Sequence, residues 1–232
     1  MHLNQTTLPS RSRRKSLSYI LAHLRSHIGV ERILKTIDLE QFKVYQKRYK
    51  DDDPPPTGYS KYLDIRTWMA AKLIYVYLLN LHKARPMRIL DMGTGPGYFP
   101  YVCSFYGHKV VAIDLDTIPM YNELCQFLHV DRRVWRINRF ENLPDFGVKF
   151  DLVTAFMIKF DQHDSPDQWG ADEWSFMLED LKRNHLTENG RILLNFNSRH
   201  DGTWEDDSLL RLFYNMGGRV HHNFIDIGGP PA

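Results

Sequence analysis

The chain of 232 residues contains few cysteines and no long hydrophobic run. Its two cysteines, Cys103 and Cys125, are too few for a disulfide framework or for a zinc site with paired cysteine ligands. The longest apolar stretch, from Trp68 to Leu81, is interrupted by Lys72 and Asn80 and is shorter than the roughly 20 residues that span a membrane. We therefore expect a reduced, cytoplasmic protein with no transmembrane segment and no metal site.

The chain as a whole also lacks an excess of charge of one sign. Its 30 Lys and Arg and 28 Asp and Glu leave a formal charge of +2, which by itself gives no argument for nucleic-acid binding. The charges are unevenly distributed, because residues 1–50 carry 11 basic and 3 acidic side chains and the remaining residues carry 19 and 25. This asymmetry predicts a basic helical extension over residues 1–55, followed by one domain over residues 56–232.

Helical periodicity dominates the N-terminal part of the chain. Five large apolar residues, here called the apolar stripe, recur at the spacing of an amphipathic helix: Leu17, Ile20, Leu21, Leu24 and Ile28. We expect this helix to end at Gly29, and we expect its stripe to be covered by the main domain, a second subunit or a membrane surface. Further helices are predicted from about Asp38 to Tyr49 and from about Leu63 to Leu81.

The sequence DDDPPP, from Asp51 to Pro56, marks the clearest boundary. Each proline lacks a backbone donor and disfavours helix at the residue before it. Because the charge also changes sign here, we expect the cofactor site described below to survive removal of residues 1–50.

Short apolar strands alternate with helices after Pro86. The predicted strands are Met87–Met92, Lys109–Asp114, Val134–Ile137, Phe150–Met157, Arg191–Phe196 and Arg219–Ile227. Helices of 10 to 15 residues between such strands indicate βαβ units. The pattern predicts an α/β protein with a Rossmann-like, mostly parallel sheet, helices on both faces of that sheet and an α-helical N-terminal extension.

A glycine-rich turn follows the first of these strands. The sequence ILDMGTGPGYF carries Asp91 near the end of the strand and then Gly93, Gly95 and Gly97 before a helix. Glycines let the backbone turn sharply and approach a ligand, and the helix N-terminus offers unpaired amides. Asp114 follows Gly93 by 21 positions, at the tip of the second strand, where a carboxylate can hold a ribose hydroxyl. Together these features predict a nucleotide-like cofactor.

The spacing of the glycines distinguishes between cofactors. It is G-x-G-x-G, whereas the dinucleotide fingerprint is G-x-G-x-x-G, so the pattern fits NAD poorly. ILDMGTGPG resembles the first motif of class I S-adenosylmethionine-dependent methyltransferases, and VVAIDLD resembles the acidic end of their second strand. The resemblance continues through ENLPDFGVKFDLVTAF and covers about residues 86–227. It implies a methyltransferase with S-adenosyl-L-methionine as its cofactor.

The resemblance also implies which residues hold that cofactor. In the family the glycine turn lies against the methionyl part, and Asp114 would bind the ribose hydroxyls. Arg139 stands where the family commonly has an Asp near the adenine, so the Phe140 backbone or Glu141 would take that place. The full expected set is Asp91, Gly93, Thr94, Gly95, Gly97, Asp114, Leu115 and Phe140.

The sequence departs from the family at its C-terminal end. The family usually adds an antiparallel seventh strand, for which no clear segment follows the strand at Arg219–Ile227. We therefore expect either a shortened sheet or a chain without its natural C-terminus.

Methyl transfer needs positioning and sometimes a base, so no obligatory catalytic motif is expected. The best base candidates are Asp161 and His163, with Asp164 beside them, because ligands of open α/β sheets bind at the carboxyl ends of strands. A solvated loop is the alternative for these residues. His200 and Asp201 are the second choice.

The acceptor stays open at the level of sequence. The stretch AFMIKF differs from the Asn/Asp-Pro-Pro-aromatic motif of enzymes that methylate amino groups of nucleic-acid bases, which favours a small-molecule or glycan-like acceptor. The alternatives are an RNA-modifying methyltransferase that uses the basic arm and a noncatalytic cofactor-binding scaffold. Four residues before the sheet could form an acceptor pocket or plain core: Tyr59, Tyr62, Asp64 and Trp68.

Overall fold

The computed structural model describes residues 17–50, 58–158, 168–197 and 207–228. The α-helices in these ranges are α1 (Leu17–Leu34), α2 (Leu39–Lys50), α3 (Ile65–Leu78), α4 (Tyr98–Phe105), α5 (Pro119–Phe127), α6 (Ala171–Asp180) and α7 (Asp207–Asn215). The strands are β1 (Arg88–Met92), β2 (Lys109–Asp114), β3 (Arg132–Val134), β4 (Phe150–Phe156), β5 (Leu186–Asn195), β6 (Arg219–His221) and β7 (Phe224–Gly228). Short 3-10 helices cover Tyr59–Leu63 and Leu81–Lys83, and a π-helical turn covers Leu181–His185.

The seven described strands form one sheet in the order β3-β2-β1-β4-β5-β7-β6. Strands β1 to β5 are parallel, and β7 runs antiparallel to both of its neighbours. The central β1 pairs with β2 and β4, so the glycine turn after β1 lies at the middle of the carboxyl edge. The predicted Rossmann-like, mostly parallel sheet with preceding N-terminal helices is confirmed.

Alternate residues along the central strands face two separate hydrophobic cores. On β4, Leu152 and Phe156 face the core that α1 to α5 cover, whereas Val153 and Ala155 face the core that α6 and α7 cover. Both faces of the sheet are therefore buried, as a parallel sheet requires. None of the described helices has the length and apolar character needed to cross a membrane.

The C-terminal end of the sheet corrects the sequence prediction. The segment expected to be one strand is a hairpin, in which a two-residue turn at His222 and Asn223 joins β6 to β7. His222 adopts φ 53°, a left-handed conformation that cannot continue a strand. Because β7 then returns beside β5, the expected shortening of the sheet is wrong and the antiparallel strand is present.

Three other elements have bounds that differ from the predicted ones. β3 covers Arg132–Val134 rather than Val134–Ile137, because its partner residues on β2 end at Asp114. α1 continues through Gly29 to Leu34 instead of stopping at the glycine. β5 begins at Leu186, before the predicted start at Arg191.

Helices α1 and α2 share a core with the rest of the protein. Val30, Ile33 and Phe42 are buried in the same cluster as Leu73 of α3, and the rings of Phe42 and Phe127 lie 6.0 Å apart. The side chain of Gln46 donates a hydrogen bond to the carbonyl of Leu63 at 2.8 Å. These contacts cross the predicted boundary at residue 55. That boundary concerns independent folding and stays a prediction; the DDDPPP segment itself lies outside the described residues.

Candidate functional site at the carboxyl edge of the sheet

The glycine turn after β1 contains three residues with left-handed backbone. Gly93, Gly95 and Gly97 have φ 69°, 58° and 80°, which a side chain would make unfavourable. An added Cβ would lie 2.3 Å from Ile158 Cγ2 at Gly93 and 2.9 Å from Cys125 Sγ at Gly97. At Gly95 the nearest atom would be a ring carbon of Tyr121 at 3.7 Å, an ordinary contact. Gly93 and Gly97 are therefore packed by protein, whereas Gly95 leaves room for a ligand to approach the backbone.

Asp114, at the end of β2, is bound directly to this turn. Its carboxylate accepts hydrogen bonds from the Gly95 amide at 2.6 Å and from the Leu115 amide at 2.7 Å. Burial raises the pKa of Asp114, and the two amides and the nearby Arg132 guanidinium oppose that rise. Each carboxylate oxygen can accept more than one hydrogen bond, so ribose hydroxyls can bind to the remaining lone pairs.

Asp91 lies on β1 directly opposite Thr154 of β4. It is only 2% exposed, and the Thr154 hydroxyl donates a hydrogen bond to it at 2.6 Å. Burial raises the pKa of Asp91 to about 6, while Thr154, Thr94 and the charge of Lys72 oppose this rise. The hydroxyl of Thr94 lies near enough to Asp91 to influence its pKa, yet it is buried without a well-formed hydrogen bond among the described residues. The Thr94 hydroxyl thus faces the Asp91 carboxylate beneath the turn.

Lys72 of α3 is a functional candidate that the sequence analysis missed. Its ammonium lies 5.0 Å from the centre of the Phe156 ring and 5.5 Å from that of Tyr75. Burial lowers the pKa of Lys72, and the charge of Asp91 opposes this shift. The only sign of Lys72 in the sequence is that a lysine interrupts an apolar helix. The long side chain of such a lysine usually reaches solvent, so the sequence does not mark it as part of a site. Here it places a cation beside the buried carboxylate.

An open cleft of about 450 Å³ adjoins the end of β2. Leu115 and Glu141 are among its lining residues, which also include Asp116, Thr117, Val134, Trp135, Arg136 and Asn138. Asn138 donates a hydrogen bond to Glu141 at 2.8 Å. A larger cleft of about 610 Å³ lies at the amino ends of β4 and β5, away from the glycine turn, and has no part in this site.

The sequence predicts that Phe140 or Glu141 replaces the missing acid near the adenine. Of these two residues, Glu141 lines this cleft. Phe140 is 54% exposed, has φ 55° and packs its ring 5.9 Å from that of Phe176. Arg139 donates a hydrogen bond to the carbonyl of Gln168 at 3.0 Å and lies 3.8 Å from Glu173. Arg139 is therefore engaged with the start of α6.

Four rings, here called the aromatic cluster, pack against one another, and one of them, Tyr121, contacts the Cβ position of Gly95: Tyr59, Tyr62, Trp68 and Tyr121. The Tyr121 ring centre is 5.6 Å from those of Tyr59 and Tyr62. The Tyr98 hydroxyl donates to the Tyr62 carbonyl at 2.5 Å and fixes this segment to α4. Asp64 has a different function, because its carboxylate accepts from the Thr67 amide at 3.1 Å and caps α3.

The predicted catalytic residues lie outside the described residues. This applies to Asp161, His163 and Asp164 and to the second pair, His200 and Asp201. Ile158 and Asn197, the described residues that border these two stretches of sequence, are in contact, because the Asn197 side chain donates a hydrogen bond to the Ile158 carbonyl at 3.4 Å. The two cysteines, Cys103 and Cys125, are free and buried.

The strand order and the glycine turn thus define a Rossmann-like α/β protein with a candidate nucleotide site at its carboxyl edge. Neither the protein-family models nor the curated protein sequences give a match to this chain. The solved structure of the PH0226 protein from Pyrococcus horikoshii OT3 is similar to it, with a TM-score of 0.51 and 13% identity over 69% of this chain and 90% of that chain. At this identity the likeness establishes the fold.

Two further similar structures carry functional names. One is a TehB-like SAM-dependent methyltransferase from Corynebacterium glutamicum ATCC 13032 Kitasato, with a TM-score of 0.49 and 18% identity over 76% of this chain and all of that chain. The other is TrmN from Thermus thermophilus, with a TM-score of 0.48 and 21% identity. The match covers 68% of this chain and only 49% of TrmN.

Proposed function

We propose that this chain is an S-adenosylmethionine-dependent methyltransferase that acts on a small-molecule or glycan-like acceptor. The observation that carries the proposal is the hydrogen bond of 2.6 Å between the Gly95 amide and Asp114. It places a carboxylate suited to ribose hydroxyls next to the one glycine of the turn that leaves room for a ligand. The G-x-G-x-G spacing differs from the dinucleotide fingerprint and therefore argues against a dinucleotide ligand.

The residues around the turn fit this cofactor. Gly95 leaves space at the backbone, Thr94 precedes it in the turn, and the carboxylate oxygens of Asp114 can accept further hydrogen bonds. Gly93 and Gly97 would act through their backbone conformation, and Asp91 lies beneath the turn. At the adenine end, Leu115, the Phe140 backbone and Glu141 complete the proposed set.

The proposed mechanism asks the protein mainly for positioning. When bound, the cofactor supplies an activated methyl group, whose bond to the sulfonium sulfur breaks as a bond to the acceptor forms. The glycine turn and Asp114 would fix the position of the donor, and the aromatic cluster would exclude water on one side. The acceptor's proton would pass to a base or to solvent, with His163 and Asp161 as the proposed base candidates.

The aromatic cluster supports the choice of acceptor. Tyr59 is 36% exposed, so part of the cluster is open to an incoming molecule. Exposed ring faces and edges suit a compact acceptor with an apolar face, such as a sugar ring or a planar ring system. The methylated atom would be an oxygen, a nitrogen or a carbon of the acceptor.

A calorimetric comparison tests the cofactor assignment. We expect S-adenosylmethionine and S-adenosylhomocysteine to bind and to raise the melting temperature, since a ligand of the folded state stabilises it, and we expect NAD not to bind. Gly95→Val should abolish binding. Gly107→Val is the matched control, because Gly107 has φ 87° with nothing near its Cβ position and lies at the amino side of β2, away from the site. Binding of NAD without either sulfur ligand would overturn the assignment.

The acceptor is tested by incubating the protein with labelled cofactor and fractionated host extract. Label in a small molecule or glycan supports the proposal, and label in RNA would replace it with the RNA-modifying alternative. Cofactor binding without transfer to any fraction would indicate the noncatalytic scaffold. Once a substrate is found, His163→Ala should lower turnover by about 10² to 10⁴, the usual contribution of a base, without changing cofactor affinity.

A further inference from the structure

Helix α1 has two apolar faces, and the rest of the described protein covers only one. The buried face includes the small residues Ala22, Ser26 and Gly29, and the helix packs on α3. A Cβ at Gly29 would lie 2.4 Å from the Tyr77 hydroxyl oxygen, which shows how closely the two helices approach. The large side chains of the apolar stripe lie on the opposite face, with exposed fractions of 72% for Leu17, 44% for Ile20, 43% for Leu21, 58% for Leu24 and 73% for Ile28. The described part of the main domain is thus not what covers the stripe.

The surroundings of the apolar stripe are basic. At 3.6 residues per turn, Arg25 and Arg32 project along one border of the stripe, and both are exposed. Four further basic residues precede the helix in the sequence: Arg11, Arg13, Arg14 and Lys15. Residues 1–30 contain no Asp or Glu, and the first acid, Glu31, forms an ion pair with Arg66. The apolar stripe therefore carries a positive border that no described acid of α1 neutralises.

We propose that α1 docks the protein onto an anionic lipid surface. The apolar stripe would enter the boundary between headgroups and acyl chains, while Arg25 and Arg32 would contact lipid phosphates. Helices that lie in this boundary combine large apolar side chains on one face with Lys and Arg beside them. Each basic residue near an anionic surface strengthens partitioning roughly fivefold, as follows from about 1 kcal/mol per residue.

Two other occupants fit these observations less well. A second copy of the chain would bring two sets of arginines together, and a stripe of five side chains is on the order of a few hundred Å², below the roughly 800 Å² per partner of a stable interface. A nucleic acid would pair with the basic border through its phosphates but would leave the large apolar side chains without an apolar partner. A lipid surface satisfies both the charge and the apolar stripe.

Vesicle co-sedimentation of the full chain tests this proposal. We expect binding to phosphatidylcholine vesicles that contain phosphatidylserine, and weaker binding to phosphatidylcholine alone or at high salt. Leu24→Glu should weaken binding about tenfold or more, the factor expected for losing the burial of one leucine. Val44→Glu is the matched control, since Val44 is 47% exposed on α2 and lies outside the apolar stripe. Both changes are at exposed helical positions, so both proteins should keep their melting temperatures.

Three outcomes would overturn the proposal. The first is no binding to either kind of vesicle, and the second is an equal loss of binding in Leu24→Glu and Val44→Glu. The third is a dimer in light scattering that Leu24→Glu dissociates while vesicles bind neither protein, which would assign the stripe to a second copy. None of these measurements depends on methyl transfer, so this proposal and the proposed function can fail separately.

Discussion

At the scale of single residues, Asp91 links the sheet to the candidate site. Its carboxylate lies on β1 beneath the glycine turn, receives a hydrogen bond from Thr154 and has the cation of Lys72 nearby. Burial nevertheless outweighs these favourable partners and raises its pKa to about 6. The protein therefore holds a carboxyl under its turn that changes charge just below neutral pH.

The raised pKa of Asp91 predicts a pH dependence of stability. The folded state keeps this proton up to about pH 6, whereas the ordinary value is 3.8, so the free energy of unfolding should fall as the pH rises from about 4 to about 6. The shift corresponds to a loss on the order of 3 kcal/mol. Asp91→Asn should lack this decline in urea unfolding across that range. Lys72→Met should move the decline to higher pH, since it removes a charge that favours the ionised form; an unchanged profile in both variants would contradict this account.

Asp114 carries the prediction about ribose binding. Asp114→Ala should weaken binding of S-adenosylhomocysteine by about 1.5 to 3 kcal/mol, the range for hydrogen bonds to a charged group. Asp131→Ala is the control, because its carboxylate is exposed, pairs with Arg133 and does not line the cleft. Calorimetry should find near-parent affinity for the control. Equal affinity in Asp114→Ala and the parent would transfer the ribose role to Asp116.

At the scale of elements, the contact between α1 and α3 depends on a glycine in the middle of a helix. Gly29 is unfavourable for helix formation, yet α1 continues through it because the Tyr77 hydroxyl occupies the space of a side chain. A helix packed this closely does not tolerate a large residue at that point. The glycine that predicts a helix end in the sequence is thus a packing position in the structure.

Gly29→Leu should therefore separate α1 from α3. We expect a loss of about 1 to 3 kcal/mol in the free energy of unfolding, the usual result of overpacking a buried position. Arg25→Leu on the exposed side of the same helix should stay within about 0.5 kcal/mol of the parent. Urea unfolding measures the free energy of unfolding of both variants. A Gly29→Leu protein as stable as Arg25→Leu would show that α1 contributes little to the fold.

At the scale of the whole molecule, the two N-terminal helices complete the core on one face of the sheet. Val30, Ile33, Leu34 and Phe42 are buried in the cluster that also contains Leu73. Burying one such side chain stabilises by about 1.5 to 3 kcal/mol, and a whole domain is stable by only about 5 to 15 kcal/mol. These magnitudes lead us to revise the expectation that the cofactor site survives removal of residues 1–50.

We expect the chain without residues 1–50 to be largely unfolded or strongly destabilised, and hence to bind S-adenosylhomocysteine poorly. The chain without residues 1–16 is the control, because it keeps α1 and α2 entire, and it should retain the parent's melting temperature and affinity. Circular dichroism measures the folding and melting temperature of both proteins, and calorimetry measures their affinity for S-adenosylhomocysteine. If the chain without residues 1–50 folds and binds S-adenosylhomocysteine with the parent's affinity, residues 1–55 form a separable extension.

The parts of this protein that depend on local backbone chemistry could be predicted from the sequence alone. Alternating apolar strands and helices predicted the sheet, and the glycines at 93, 95 and 97 predicted the turn, because each requires a residue type at its own position. Asp114 could be found for the same reason, since its place follows from the length of one βα unit.

Contacts between residues that are distant in the sequence could be learned only from the folded chain. Thr154 lies 63 positions from Asp91 and is its hydrogen-bond partner because β4 pairs with β1, a choice that no local pattern encodes. The periodicity of α1 defined an apolar stripe but not the face that packs. Helices α1 and α3 approach closely at Gly29, so the face of α1 that carries small residues packs on α3. The large apolar side chains on the opposite face are therefore exposed.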